Sequence, residues 1–199
     1  MQALDDSVTV VTGRRSRRLL LEQLTAACAD ASGVDIEATH GPSVYLLLTR
    51  LMAWLRAAVA TEIDAGRITR HGSEVARLLN AVLAMVRRPT GTAFLAHVAD
   101  AGGVACVVRL VAAGHRVGPG VSLLAAQLAR AIARGGRVYK ERLCRGGVVP
   151  AVAAALRAVP PGAAGGACDG YRALLVELSC GNTTCEADVM DAICDAMEQ

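Results

Sequence analysis

The residues able to do chemistry in this chain are cysteines, histidines and arginines. Seven cysteines stand at positions 28, 106, 144, 168, 180, 185 and 194. The number is odd and no two form a Cys-x-x-Cys pair, so they read as reduced thiols rather than a disulfide framework. Cys28, Cys106 and Cys194 have apolar neighbours, where a thiol serves as a small packing group. Cys180-x4-Cys185-x8-Cys194 offers thiolates for zinc in principle. The spacing matches no knuckle, however, and it puts Cys185 and Cys194 nine residues apart on one helix. His40, His71, His97 and His115 are scattered, with no partner at ligand spacing. There is no Gly-x-x-x-x-Gly-Lys-Ser/Thr loop, no Gly-x-Gly-x-x-Gly after a strand, no His-Glu-x-x-His and no Gly-x-Ser-x-Gly. The expectation is a protein that is not an enzyme and uses neither metal nor cofactor.

What remains is positive charge. Of the 21 basic residues only Lys140 is lysine. They gather twice. Arg14, Arg15, Arg17 and Arg18 form a dense group near the start. Arg130, Arg134, Arg137, Lys140, Arg142 and Arg145 form a looser second group. Arg14, Arg15, Arg17, Arg18, Arg130, Arg134, Arg137, Lys140 and Arg142 are the candidate partner-binding residues. Solvated helix surface is the plain reading of both groups; contact with an acidic partner, such as a tubulin-like surface, RNA or an acidic helix, is the functional one. The C-terminal segment is acidic, with Glu186, Asp188, Asp191, Asp195 and Glu198. A basic front and an acidic tail could pair head to tail or with another subunit. The net charge of +3 is small for a nucleic-acid surface, and basic and aromatic residues are not interleaved.

Helices must position these residues. Ala, Leu and Arg dominate, all strong helix formers, and Val and Ile seldom alternate as a half-buried strand requires. Residues 1–13 read as a mobile arm or an extended contact strand, and Ser16 as the cap of a helix over 17–31. A second helix begins at Pro42, with Tyr45, Leu48, Leu51, Met52, Leu55 and Val59 on its buried stripe, and Asp64-Ala65-Gly66 closes it. Arg67–Arg70 link to a third, carried by Val75, Leu78, Leu79, Val82, Leu83 and Val86 and ended by Pro89. Further helices are expected at about 93–100, 104–113, 121–133, 139–145, 148–159, 171–180 and 184–197. Thr183-x-x-Glu186 has capping-box spacing for the last of them. Asn182-Thr183-Thr184 is a formal glycosylation sequon and reads here as part of that cap. The longest stretch without a charged residue, Val117–Ala129, is too short to span a bilayer. The early acids Asp5 and Asp6 argue against a secretory signal and weigh against a mitochondrial presequence.

A repeat organises these elements. Gly102-Gly103-Val104 superposes on Gly146-Gly147-Val148 at a shift of 44, while Leu128, Ile132 and Gly135 superpose on Leu174, Leu178 and Gly181 at a shift of 46. The two-residue difference falls in the loop, where insertions cost little. A further step of 46 back reaches Val82 and Val86. A period in the forties with a short helix, a Gly-Gly corner and two more helices indicates stacked helical units.

This unit resembles the armadillo repeat and the related HEAT-like class. The resemblance covers 73–181 and reaches back to 42. It implies an all-α fold, a right-handed α-solenoid of about three repeats, with an N-terminal arm over 1–16, a single helical domain over 17–199 and a C-terminal capping helix. Peptide-gripping members look like a ladder of asparagines on their third helices. Here the only asparagines are Asn80 and Asn182, and only Asn80 lies on such a helix, so a nuclear-import-type groove is not expected. The function expected is a non-catalytic structural or protein–protein interaction subunit of a multi-subunit assembly. The favoured setting is cytoskeletal: a cilium, flagellum or axoneme, with tubulin or axonemal proteins as partners. The alternative is an accessory subunit of a mitochondrial or ribonucleoprotein complex that binds RNA or ribosomal proteins.

Overall fold

The computed structural model describes residues 2–29, 41–64, 74–88, 91–158 and 166–197, with side chains left out at 2–14, 29, 62, 64, 115 and 195–197. The chain is all-α, with ten helices and no strand among the described residues. They are α1 (Gln2–Ala29), α2 (Ser43–Asp64), α3 (Glu74–Val86), α4 (Thr92–Asp100), α5 (Gly103–Ala113), α6 (Pro119–Arg134), α7 (Arg137–Arg145), α8 (Val148–Arg157), α9 (Gly166–Ser179) and α10 (Glu186–Met197). A 3₁₀ turn, Gly114–Val117, leads into α6.

The apolar spacing decides which face of each helix is buried. In α3 the six residues singled out by their spacing, from Val75 to Val86, are all buried. In α6, Leu128, Ala129 and Ile132 are wholly inside, as are Leu174 and Leu178 of α9. Phe94 is the one aromatic residue fully enclosed; Tyr45 meets it edge-on at 5.5 Å. With so few aromatics, the core is built from Leu, Val and Ala, and the small residues let helix axes come close.

The Gly-Gly corners turn as their residue types require. α4 and α5 meet at 75°. Gly102 sits between them at φ 89°, ψ 19°, and its counterpart Gly147 precedes α8 at φ 85°, ψ 24°. Both lie in the left-handed region, where a Cβ costs roughly 1–2 kcal/mol. Beside Gly102, a Cβ on Gly103 would stand 2.5 Å from the Val98 carbonyl oxygen, so this doublet is set by both conformation and space.

The helices pack in two rows. In one, α3 lies against α1 and α6, and α6 against α9. In the other, α5 lies against α2 and α8, and α8 against α10. α4 packs on α2, and α7 on α6 and α8. Cross-row contacts such as α2 on α3, α5 on α6 and α9 on α10 close one continuous core.

Several boundaries differ from the sequence reading. The stretch expected to be an arm or extended strand is helical from Gln2, and Ser16 lies inside α1 rather than at its start. The β-branched run Val8–Thr12 and Gly13 disfavour a helix nucleus, but extending a helix already nucleated is far less costly. α6 begins two residues early, at Pro119, which suits a first helical turn. α9 begins at Gly166, five residues before the expected 171. The last helix starts at Glu186, with Val189 N–H donating to the Cys185 carbonyl. Cys185 therefore holds the cap position in place of Thr183. Within α2, Ser43–Thr61 is long and apolar enough to cross a membrane although Arg50 and Arg56 interrupt it. Its Leu48, Leu51, Met52, Leu55 and Val59 are buried in the protein core. Gly66, Arg67–Arg70, His40 and His71 fall outside the described residues.

Candidate functional site

The second basic group lies on α6 and α7, and its side chains converge on carboxylates from elsewhere in the fold. Glu177 on α9 gathers three of them. Arg134 Nε is 3.1 Å away, Lys140 Nζ 3.4 Å and Arg130 Nε 3.9 Å. Glu141 takes Arg137 at 2.8 Å and Arg145 at 2.9 Å, both within one helical turn. Arg142 reaches back to Asp100 at the end of α4, at 2.8 Å. Six cations thus face three carboxylates, and the ridge keeps a surplus of positive charge.

Lys140 differs from its neighbours. Its side chain is only 11% exposed, and its ammonium also donates to the Cys180 carbonyl at 2.8 Å. That carbonyl closes α9, where the helix dipole and unpaired carbonyls favour a cation. Arg88 does the same for α1, donating to the Cys28 carbonyl at 3.0 Å. Each cation fastens the end of a neighbouring helix. Partial burial alone would raise the Glu177 carboxyl, but hydrogen bonds from Arg134 and Lys140, and their charges, outweigh it and hold the group below its ordinary range. Glu141 is also held low, first by the Arg137 hydrogen bond.

The first basic group is looser. Arg17 bridges α1 to its neighbours: it lies 3.4 Å from Glu74 and 5.9 Å from the Trp54 ring centroid. Arg18 pairs with Glu22 at 2.8 Å, in solvent. Arg15 is exposed. The Arg14 side chain is outside the described set.

The cysteines do not form a metal centre: among the described residues no group of three or more His, Cys, Asp or Glu side chains could hold an ion. Cys180 and Cys194 are exposed, whereas Cys185 is buried. The contact invisible in the spacing is Cys144 with Cys185. Burial, then the neighbouring Cys185 thiol, push the Cys144 thiol up to about 12, so it stays protonated. Asn182, 1% exposed, donates to Cys144 Sγ at 3.9 Å. A side chain so enclosed cannot accept a glycan. His97 is exposed and leans on Tyr45, with ring centroids 4.6 Å apart and the planes tilted by 47°.

A groove of about 360 Å³ runs between α1 and α3, lined by Leu21, Glu22, Thr25, Ala26, Arg77 and Asn80. It places Asn80 on the surface beside α1, on the face carried by the row α1, α3, α6 and α9. Sequence reasoning missed Glu177, Glu141 and Asp100. Only Glu141 left a signal, at i+4 from Arg137 and i−4 from Arg145.

Compared with known proteins, the chain matches no family model, no curated protein and no solved structure.

Proposed function

We propose that the chain is a short right-handed α-solenoid of about three armadillo-like units with a capping helix, and that it works as a non-catalytic structural or interaction subunit of a larger assembly. The observation that carries this reading is the pair of helix rows, α1–α3–α6–α9 and α2–α5–α8–α10, in which each inner helix packs on the one before and the one after. Units that bury their apolar faces only against neighbours produce this pattern. The matching backbone at Gly102 and Gly147 and ion pairs spanning about one unit, such as Arg142 with Asp100, support it.

The favoured partner is protein with an acidic surface, met by Arg15, Arg18 and the cationic surplus of the α6–α7 ridge. A cytoskeletal assembly such as an axoneme, with tubulin among the contacts, is the setting we favour. Cross-linking mass spectrometry on the native complex, at low and high salt, tests it. Reproducible links from α1 and from the α6–α7 ridge to filament proteins are the expected result. Recovery of RNA or ribosomal proteins, lost at high salt, would replace this reading with an accessory role in a ribonucleoprotein complex. The stacking itself is tested by Leu128→Asp, which puts a charge where no surface is exposed. We expect a loss of about 4–5 kcal/mol, measured by urea unfolding; a fully cooperative variant of unchanged midpoint would refute the stacking.

A further inference from the structure

Six large hydrophobic side chains are exposed among the described residues: Leu19, Leu20, Leu46, Val138, Val176 and Met190. Five of the six lie on the four helices that end the two rows. Leu19 and Leu20 are on α1 and Leu46 on α2, at one end; Val176 is on α9 and Met190 on α10, at the other. The interior helices of both rows show none. Apolar surface is therefore left over where each row stops, and nowhere along the rows themselves.

The two ends also differ in charge. α2 carries Arg50 and Arg56 along Ser43–Thr61, its acids Glu62 and Asp64 coming only in the last turn, and its outward stripe is Leu46, Arg50, Ala53, Ala57 and Thr61, all exposed. α1 adds exposed Arg15, and Arg18 beside its partner Glu22. α10 has four acids, Glu186, Asp188, Asp191 and Asp195, and no basic residue. Its outward face, Ala187, Met190, Asp191 and Cys194, is exposed.

We propose that these ends dock on each other, so that a second copy of this chain continues both rows head to tail. α10 of one copy then lies on α2 of the next, with Met190 on the alanine stripe and Asp191 facing Arg50. α9 meets α1, with Val176 against Leu19. Met adapts to a shallow, alanine-floored surface, and opposite charges set the direction of addition. The contact is heterologous, so copies add in a line unless the rotation closes a ring. Two helix faces make a small interface, and the association is weak, reversible and salt-sensitive.

This inference rests on the stacked reading above, and its test separates the two. Sedimentation velocity on the full-length chain, from low to high protein concentration at low salt, should show reversible growth beyond a monomer. Asp191→Arg and Arg50→Asp should each raise the dissociation constant about tenfold or more, with helicity and melting unchanged. Mixing the two variants should restore association, because each then meets an opposite charge. A wild-type chain that stays monomeric at every concentration overturns the proposal, whether its ends instead bind a different protein or anionic vesicles. Association that ignores both reversals overturns it as well. In either case a Leu128→Asp variant that still unfolds leaves the stacked reading standing.

Discussion

The two arginine groups look alike in the sequence and differ in what lies opposite them. On α6 and α7 Arg134, Arg137, Arg142 and Arg145 are exposed, Arg130 is half-buried and Lys140 buried, yet each has a carboxylate within 4 Å, and three share Glu177. On α1, Arg17 is tied to Trp54 and Glu74, Arg18 has only a solvent-exposed pair, and Arg15 is exposed. The α6–α7 group joins four helices, α4, α6, α7 and α9, and spends much of its charge on doing so. The α1 group keeps more of its charge for the outside. A cluster of like charges is therefore a poor guide to a binding surface until its counter-charges are located. Their position depends on which helices become neighbours.

This contrast can be broken or sharpened by substitution. The largest effect is expected at Lys140, the one buried cation. Lys140→Ala removes the ammonium from both Glu177 and the Cys180 carbonyl and should cost about 2–3 kcal/mol, read by urea unfolding. A loss within error of zero would mean that the end of α9 does not need this cation. Next comes Glu177→Gln, which leaves Arg130, Arg134 and Lys140 facing a neutral amide; about 1–2 kcal/mol is expected. It also has a pH signature. The Glu177 carboxyl titrates lower in the folded chain than in the unfolded one. Its stabilisation is therefore complete above the unfolded value of about 4.3 and fades as pH falls through the lower, folded value. Stability of the wild type should fall more steeply than that of Glu177→Gln across this acid range, and parallel curves would contradict it. The smallest stability effect belongs to α1. Arg15→Glu with Arg18→Glu should change the unfolding free energy by no more than about 0.5 kcal/mol, while abolishing salt-sensitive capture of an acidic partner. A large stability loss there would erase the distinction between the two groups.

The cysteines teach the same lesson on a smaller scale. Cys180, Cys185 and Cys194 are close in sequence and suggest a shared site, but the fold buries one and exposes two. Cys185 meets Cys144, forty-one positions earlier, because α7 ends where the turn before α10 begins. Spacing within one segment could not show that.

Much of the fold was legible in the residues. Apolar side chains at three- and four-residue intervals marked α2, α3, α6, α9 and their inner faces, since a helix buries whatever recurs with its own period. The Gly-Gly doublets marked the corners, since only glycine adopts φ near +90° without strain. The limits of α1 were not legible: local propensity argues against Val8–Thr12, and a helix already begun overrides it. The ion pairs between helices about one unit apart were decided by tertiary structure alone. Asp100 with Arg142 and Glu177 with Arg134 lie 42 and 43 residues apart, and no periodicity along the chain links a carboxylate to a cation at that distance. Short-range order follows from the geometry of one helix, which the sequence carries in full. Long-range pairing follows from which helix faces which, and that is settled only when the apolar faces have packed.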